Sequence, residues 1–89
     1  MLVVSQDGYG IYEAKNIKRC LADRYMFRSI SVQIDAGSLV VGDYKTSEEA
    51  ERVFAGILEE IRKQATASGR TMFIDIREIE KEVLGDTRK

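Results

Sequence analysis

Apolar positions along this chain change their spacing several times, and each change marks an element. Met26, Ile30, Val32 and Ile34 share one side of an alternating stretch that only Arg28 interrupts, while Ser29, Ser31, Gln33 and Asp35 share the other. A period of two with one polar side predicts a strand with one wet face. Asp35-Ala36-Gly37-Ser38 supplies a turn, and Leu39, Val40 and Val41 the answering strand, so an antiparallel hairpin is expected. Nearer the N-terminus, Leu2 to Ser5 reads as a short strand, Gln6-Asp7-Gly8 as a turn and Tyr9 to Ala14 as a second strand. Residues 17–22 fit two patterns. Asn16 suits the cap of a helix carrying Ile17, Cys20, Leu21 and Tyr25; equally, Ile17, Arg19 and Leu21 alternate with Lys18, Cys20 and Ala22 as on a strand.

After Tyr44 the period becomes helical. Thr46 is a good N-cap, and Glu49 stands where it completes a capping box. Ala50, Val53, Phe54, Ile57, Leu58 and Ile61 then form one apolar stripe that must lie on the sheet. The stripe fades, and Gly69 is a natural stop, so the helix is expected over 46–68 with its last turn or two projecting. Thr71 to Ile76 returns to strand character, with Met72, Ile74 and Ile76 on one side and Phe73 on the other. Apolar groups on both sides imply a strand buried on both faces or covered by a partner. Asp75 and Glu78 form a second potential capping box, Ile76, Ile79, Val83 and Leu84 keep helical spacing, and Gly85 can close that short helix.

No linker or repeat divides the chain, so its 89 residues are expected to form a single domain: a β-meander over 2–44, the helix over 46–68, and a strand and short helix over 71–85. So small a core leaves a thin stability margin, for which oligomerisation is a common remedy. The net charge is -1, with the cations dispersed among the anions. That disfavours nucleic acid, whose binders show a basic excess or stripe. No run is long and apolar enough for a signal peptide or a membrane span, which makes the cytoplasm the expected location.

Candidate chemistry is sparse. Gly8-Tyr9-Gly10 lacks the third glycine of a dinucleotide loop, since Glu13 occupies its place, and it reads as a hairpin turn. Cys20 is the only thiol and the chain has no histidine, so neither a base-activated nucleophile nor a four-ligand metal cluster is expected. Adjacent carboxylates such as Glu48 and Glu49, or Glu59 and Glu60, lie on a solvated helix face. Asp35 and Asp43 flank a hairpin but make a poor cage for a divalent ion. The tyrosines Tyr9, Tyr12, Tyr25 and Tyr44 are most simply edge caps of a small core with wet hydroxyls, Tyr44 covering the joint between sheet and helix. They also suit a protein interface.

Val3-Val4-Ser5-Gln6-Asp7, then Asn16-Ile17, then Gly42-Asp43-Tyr44-Lys45-Thr46-Ser47-Glu48-Glu49-Ala50 resemble, in order, a group of small uncharacterised proteins of Gram-positive bacteria and their prophages or mobile elements. The likeness covers roughly residues 2–61 and implies a strand at 17–22; it brings no activity. The expected object is an α+β domain: an antiparallel meander or open roll of about five strands packed by one long helix, with a late strand and a short C-terminal helix. Its expected role is that of a non-enzymatic protein-interaction module without cofactor or metal, self-associating as a homodimer with Met72 to Ile76 at the seam. Candidate interface residues are Tyr9, Tyr12, Tyr44, Met72, Phe73, Ile74 and Ile76. The alternative is a nucleic-acid accessory protein using Tyr9, Tyr12, Lys18, Arg19 and Arg28.

Overall fold

The computed structural model of the chain describes residues 1–21, 27–66 and 71–85. Strand β1 (Leu2–Val4) turns back into β2 (Ile11–Glu13), antiparallel, with Val3 opposite Tyr12. Asp7 organises the connection: its Oδ1 accepts from Ser5 Oγ at 2.6 Å and from the Tyr9 amide at 2.9 Å. Those two donors, the hydroxyl first, hold the Asp7 carboxyl below its ordinary range. Gly8 supplies the positive φ of 78° that the turn needs.

From β2 the chain runs through Ala14 and Lys15 straight into β3 (Asn16–Leu21), which pairs antiparallel with β4 (Phe27–Ile34). The two connecting residues belong to different neighbours. Ala14 donates its amide to Met1 O at 2.7 Å, and Lys15 donates its amide to Gln33 O, also at 2.7 Å. The ambiguous segment is therefore a strand up to Leu21. β4 turns at Asp35 and Ala36 into β5 (Gly37–Asp43), completing the expected hairpin.

Helix α1 (Ser47–Ala65) crosses over, and the short strand β6 (Phe73–Asp75) then pairs parallel to β1 before α2 (Ile76–Leu84). A parallel pair needs such a crossover, and α1 provides it. The architecture is α+β, as expected, with six strands in two sheets of order β2-β1-β6 and β3-β4-β5. The meander exists in chain order but divides at Ala14–Lys15, and the late strand finds its partner within the chain. Ala22, Tyr25, Met26 and the expected helix end at Ser68 lie outside the described residues.

The core lies between the sheets and the helices. Val3, Ile30, Val32 and Ile74 point in from the strands, Ala50, Val53 and Ile57 from α1, and Ile76 and Ile79 from α2. Each large side chain fully buried there contributes about 1.5–3 kcal/mol. Leu58 departs from the expected stripe, remaining 42% exposed. The reason is that α1 faces α2 as well as β4. A Cβ added to Gly56 would lie 2.7 Å from Ile79 Cγ2, so Gly56 is where the two helices meet closely. This contact turns the buried face of α1 toward Gly56 and strands Leu58 at the opposite margin.

The helix ends follow the sequence signals in part. Thr46 Oγ1 accepts from the Glu49 amide at 3.2 Å. The return arm of that box is missing, since Glu49 Oε1 is buried without a hydrogen-bond partner. Gly85, at φ 81°, closes α2 with its amide donated to Lys81 O.

Candidate interaction face

Register assigns each strand residue to a face, because alternate residues point to opposite sides. In the sheet β3-β4-β5 the inward side carries Ile17, Ile30, Val32 and Leu39. Its outward side carries Asn16, Lys18, Ser29, Ser31, Gln33 and Ser38 with the exposed apolar Val40; Ser31, expected on a wet face, is instead covered at 3% exposure. The sheet β2-β1-β6 is different. Val3, Tyr12 and Ile74 face the core. The outward rows are Phe73, Leu2 and Glu13, then Asp75, Val4 and Ile11. Phe73 is 47% exposed and Ile11 61%, with half-buried Leu2 and buried Val4 between them. Phe73 and Ile11 thus stand exposed at opposite corners of this face, with half-buried Leu2 between them, while Val4 is covered at 3% exposure.

The outer edge of β6, beside this face, is not open at Phe73. Gln64, in the last turn of α1, donates Nε2 to Phe73 O at 2.7 Å and accepts the Phe73 amide on Oε1 at 2.8 Å. Its carboxamide thereby occupies the outward hydrogen-bonding pair of β6 and holds down a helix turn that was expected to project. Gln6 does the same to β5, accepting the Asp43 amide at 2.9 Å and donating to Asp43 O at 3.1 Å. The Gln6 amide also donates to Val41 O at 2.7 Å. Each glutamine mimics a passing strand and blunts an edge that would otherwise template pairing.

Next to Phe73 lies a cleft of about 250 Å3, lined by Phe73, Ile79, Glu60, Asp75, Glu78 and Glu82. Asp75 is forked by Arg77, at 3.0 Å to Nη2 and 3.2 Å to Nε. That guanidinium is the main reason its carboxyl sits below the ordinary range. Glu78 has Lys81 Nζ at 3.5 Å, and among the described residues Glu60 accepts only from the neutral Gln64 amide, at 2.9 Å.

The sequence candidates scatter. Tyr9 stands 93% exposed at the tip of the first hairpin. Tyr12 faces inward, its ring lying where a Cβ on Gly10 would be. Tyr44 corrects the expectation of a wet hydroxyl. It is 5% exposed, and its Oη donates to buried Glu80 Oε2 at 2.8 Å. Tyr44, Ile74 and Ile76 are core residues, so none of the three is offered to a partner. Half-buried Met72 lends its carbonyl to the Leu2 amide at 2.8 Å. At Phe73, Gln64 takes the backbone pair that a strand running along Met72 to Ile76 would use; of the expected interface, Phe73 and Tyr9 are exposed.

The nucleic-acid set does not gather. Lys18 lies on the polar outer face of one sheet while Tyr12 faces the core of the other, and the Arg19 and Cys20 side chains lie outside the described ones. Asp35 pairs with Lys15 at 3.1 Å and Asp43 with Ser29 at 3.1 Å, at opposite ends of the β4–β5 hairpin. Among the described residues, no group of three or more acidic, cysteine or histidine side chains is placed to hold a metal ion. No described helix is long and apolar enough to cross a membrane.

No protein-family model, no curated protein and no solved structure matches this chain. Sequence reasoning overlooked Leu2, Ile11 and both glutamines. One signal was available: Gly10-Ile11-Tyr12 repeats the Gly-x-Tyr spacing of Gly42-Asp43-Tyr44, which turns Tyr12 inward and therefore Ile11 outward.

Proposed function

We propose that this chain is a non-enzymatic protein-interaction module that self-associates as a homodimer through the outer face of the β2-β1-β6 sheet. The observation that carries the reading is the pair of exposed apolar side chains, Phe73 and Ile11, that this face presents on either side of half-buried Leu2. Apolar patches on the solvent side of a small sheet mark interaction surfaces. A second copy fits because a two-fold axis lets one patch cover its own equivalent. At net charge -1 the copies also repel each other weakly.

Sedimentation velocity at high micromolar concentration tests this. Wild type should show a concentration-dependent dimer, while Ile11→Lys and Phe73→Lys remain monomeric and folded. A strictly monomeric wild type overturns the reading, as does a dimer that both lysine variants leave intact.

A further inference from the structure

We propose that the cleft beside Phe73 receives a cationic amphipathic segment of a protein partner: one apolar side chain inserted between lysines or arginines. This deepens the reading of the chain as an interaction module and rests on it.

Three features define the occupant. The floor is apolar, formed by half-exposed Phe73 and by Ile79. The rim is acidic on every element that builds it: Glu60 on α1, Asp75 at the end of β6, Glu78 and Glu82 on α2. Arg77 compensates Asp75, and Lys81 pairs with Glu78 at 3.5 Å. Glu60 has only a neutral donor, and no ion pair among the described residues reaches Glu82. The cleft therefore presents uncompensated negative charge around an oily floor, the complement of an apolar side chain flanked by cations.

The third feature concerns the backbone. Gln64 already fills the outward amide and carbonyl of Phe73, so an incoming segment finds no strand edge to extend. Recognition falls to side chains. Glu78 and Glu82 are four residues apart on α2, one helical turn, and Glu60 stands across from them on α1. Cations on both sides of a single anchor meet this arrangement.

The test uses a fluorescein-labelled peptide of about ten residues carrying one leucine between two lysine pairs. Fluorescence anisotropy is read at low ionic strength with wild type and with Ile11→Lys, which removes the proposed self-association and leaves the cleft untouched. Both proteins should bind saturably, wild type the more weakly because a second copy competes for Phe73. Glu82→Lys, at an exposed position, should weaken binding about tenfold, as should exchanging the peptide leucine for serine. Raising salt to about 1 M should weaken it further. Circular dichroism checks that Glu82→Lys is folded.

No saturable binding by either protein overturns the inference, as does binding indifferent to both Glu82→Lys and the leucine. A wild type that self-associates, with an Ile11→Lys variant that ignores the peptide, sinks the cleft alone. One that binds the peptide as a strict monomer keeps the cleft and sinks the homodimer.

Discussion

The two sheets of this molecule have the same number of strands and opposite exteriors. In β3-β4-β5 consecutive strands pair antiparallel, one face lies under α1, and the other is mostly serine, asparagine, glutamine and lysine. In β2-β1-β6 the third strand arrives from far along the chain, pairs parallel, and leaves apolar groups on both faces. One exterior is finished for water and the other is not. In so small a chain each apolar residue withheld from the core lowers the stability margin. An apolar exterior is therefore the place to look for a partner.

The largest expected effect tests how far the second sheet depends on its late strand. Ile74 is fully buried and sits opposite Val3. Ile74→Ala should cost about 2–5 kcal/mol, a large share of what a small domain possesses. Urea denaturation should give one cooperative transition at a much lower midpoint. Two separate transitions would mean that the sheets fold independently and that β6 does not bind them into one unit.

The Gly-x-Tyr pair sharpens the comparison at the next level. A Cβ at Gly42 would lie 2.7 Å from Tyr44 Oη, the atom that donates to Glu80. Gly42→Ala should therefore displace a buried hydrogen bond and cost about 1–3 kcal/mol. Gly10→Ala meets the half-buried Tyr12 ring, which has more room to move, and should cost less. Equal losses would remove the distinction between the buried tyrosine and the marginal one.

Smaller again are the glutamine clips. Gln64→Leu and Gln6→Leu should each cost about 1–2 kcal/mol and unprotect one amide, that of Phe73 or Asp43. Hydrogen exchange resolved by residue reads this directly. Continued protection of the Phe73 amide in Gln64→Leu would mean that the edge is closed by something else.

How much of this was legible in the sequence depends on the range of the interaction. Local signals carried through: Thr46 caps α1, Gly85 closes α2, and the turn at Asp35 and Ala36 joins β4 to β5. Alternation also placed Phe73 on the face opposite Ile74. What failed was long-range. Leu58 has helical spacing with the core, and nothing near it in sequence says that α2 pulls the stripe toward Gly56. Tyr44 reads as amphipathic until Glu80, 36 residues away, takes its hydroxyl. The outer patch needed the parallel pairing of Leu2 with Phe73, which no local pattern encodes. The acidic cleft needed three elements that meet only in the fold.

The smallest expected effect concerns acid, at the point where the finished and unfinished exteriors differ in charge. Asp75 caps α2 and holds Arg77 in a fork, and its carboxyl is depressed from the ordinary value of 3.8, chiefly by that guanidinium. A depressed carboxyl contributes stability that is fully present above its unfolded value and disappears as pH falls through the folded one. Asp75→Asn keeps a capping side chain but loses the charge. At pH 7 it should melt slightly below wild type, and the gap should close as pH falls below about 4. Thermal melts at several values between pH 2 and 7 read the convergence. A gap that persists unchanged at pH 2 would make the loss steric rather than ionic. The Arg77 fork would then add nothing to the cap that Asp75 alone does not supply.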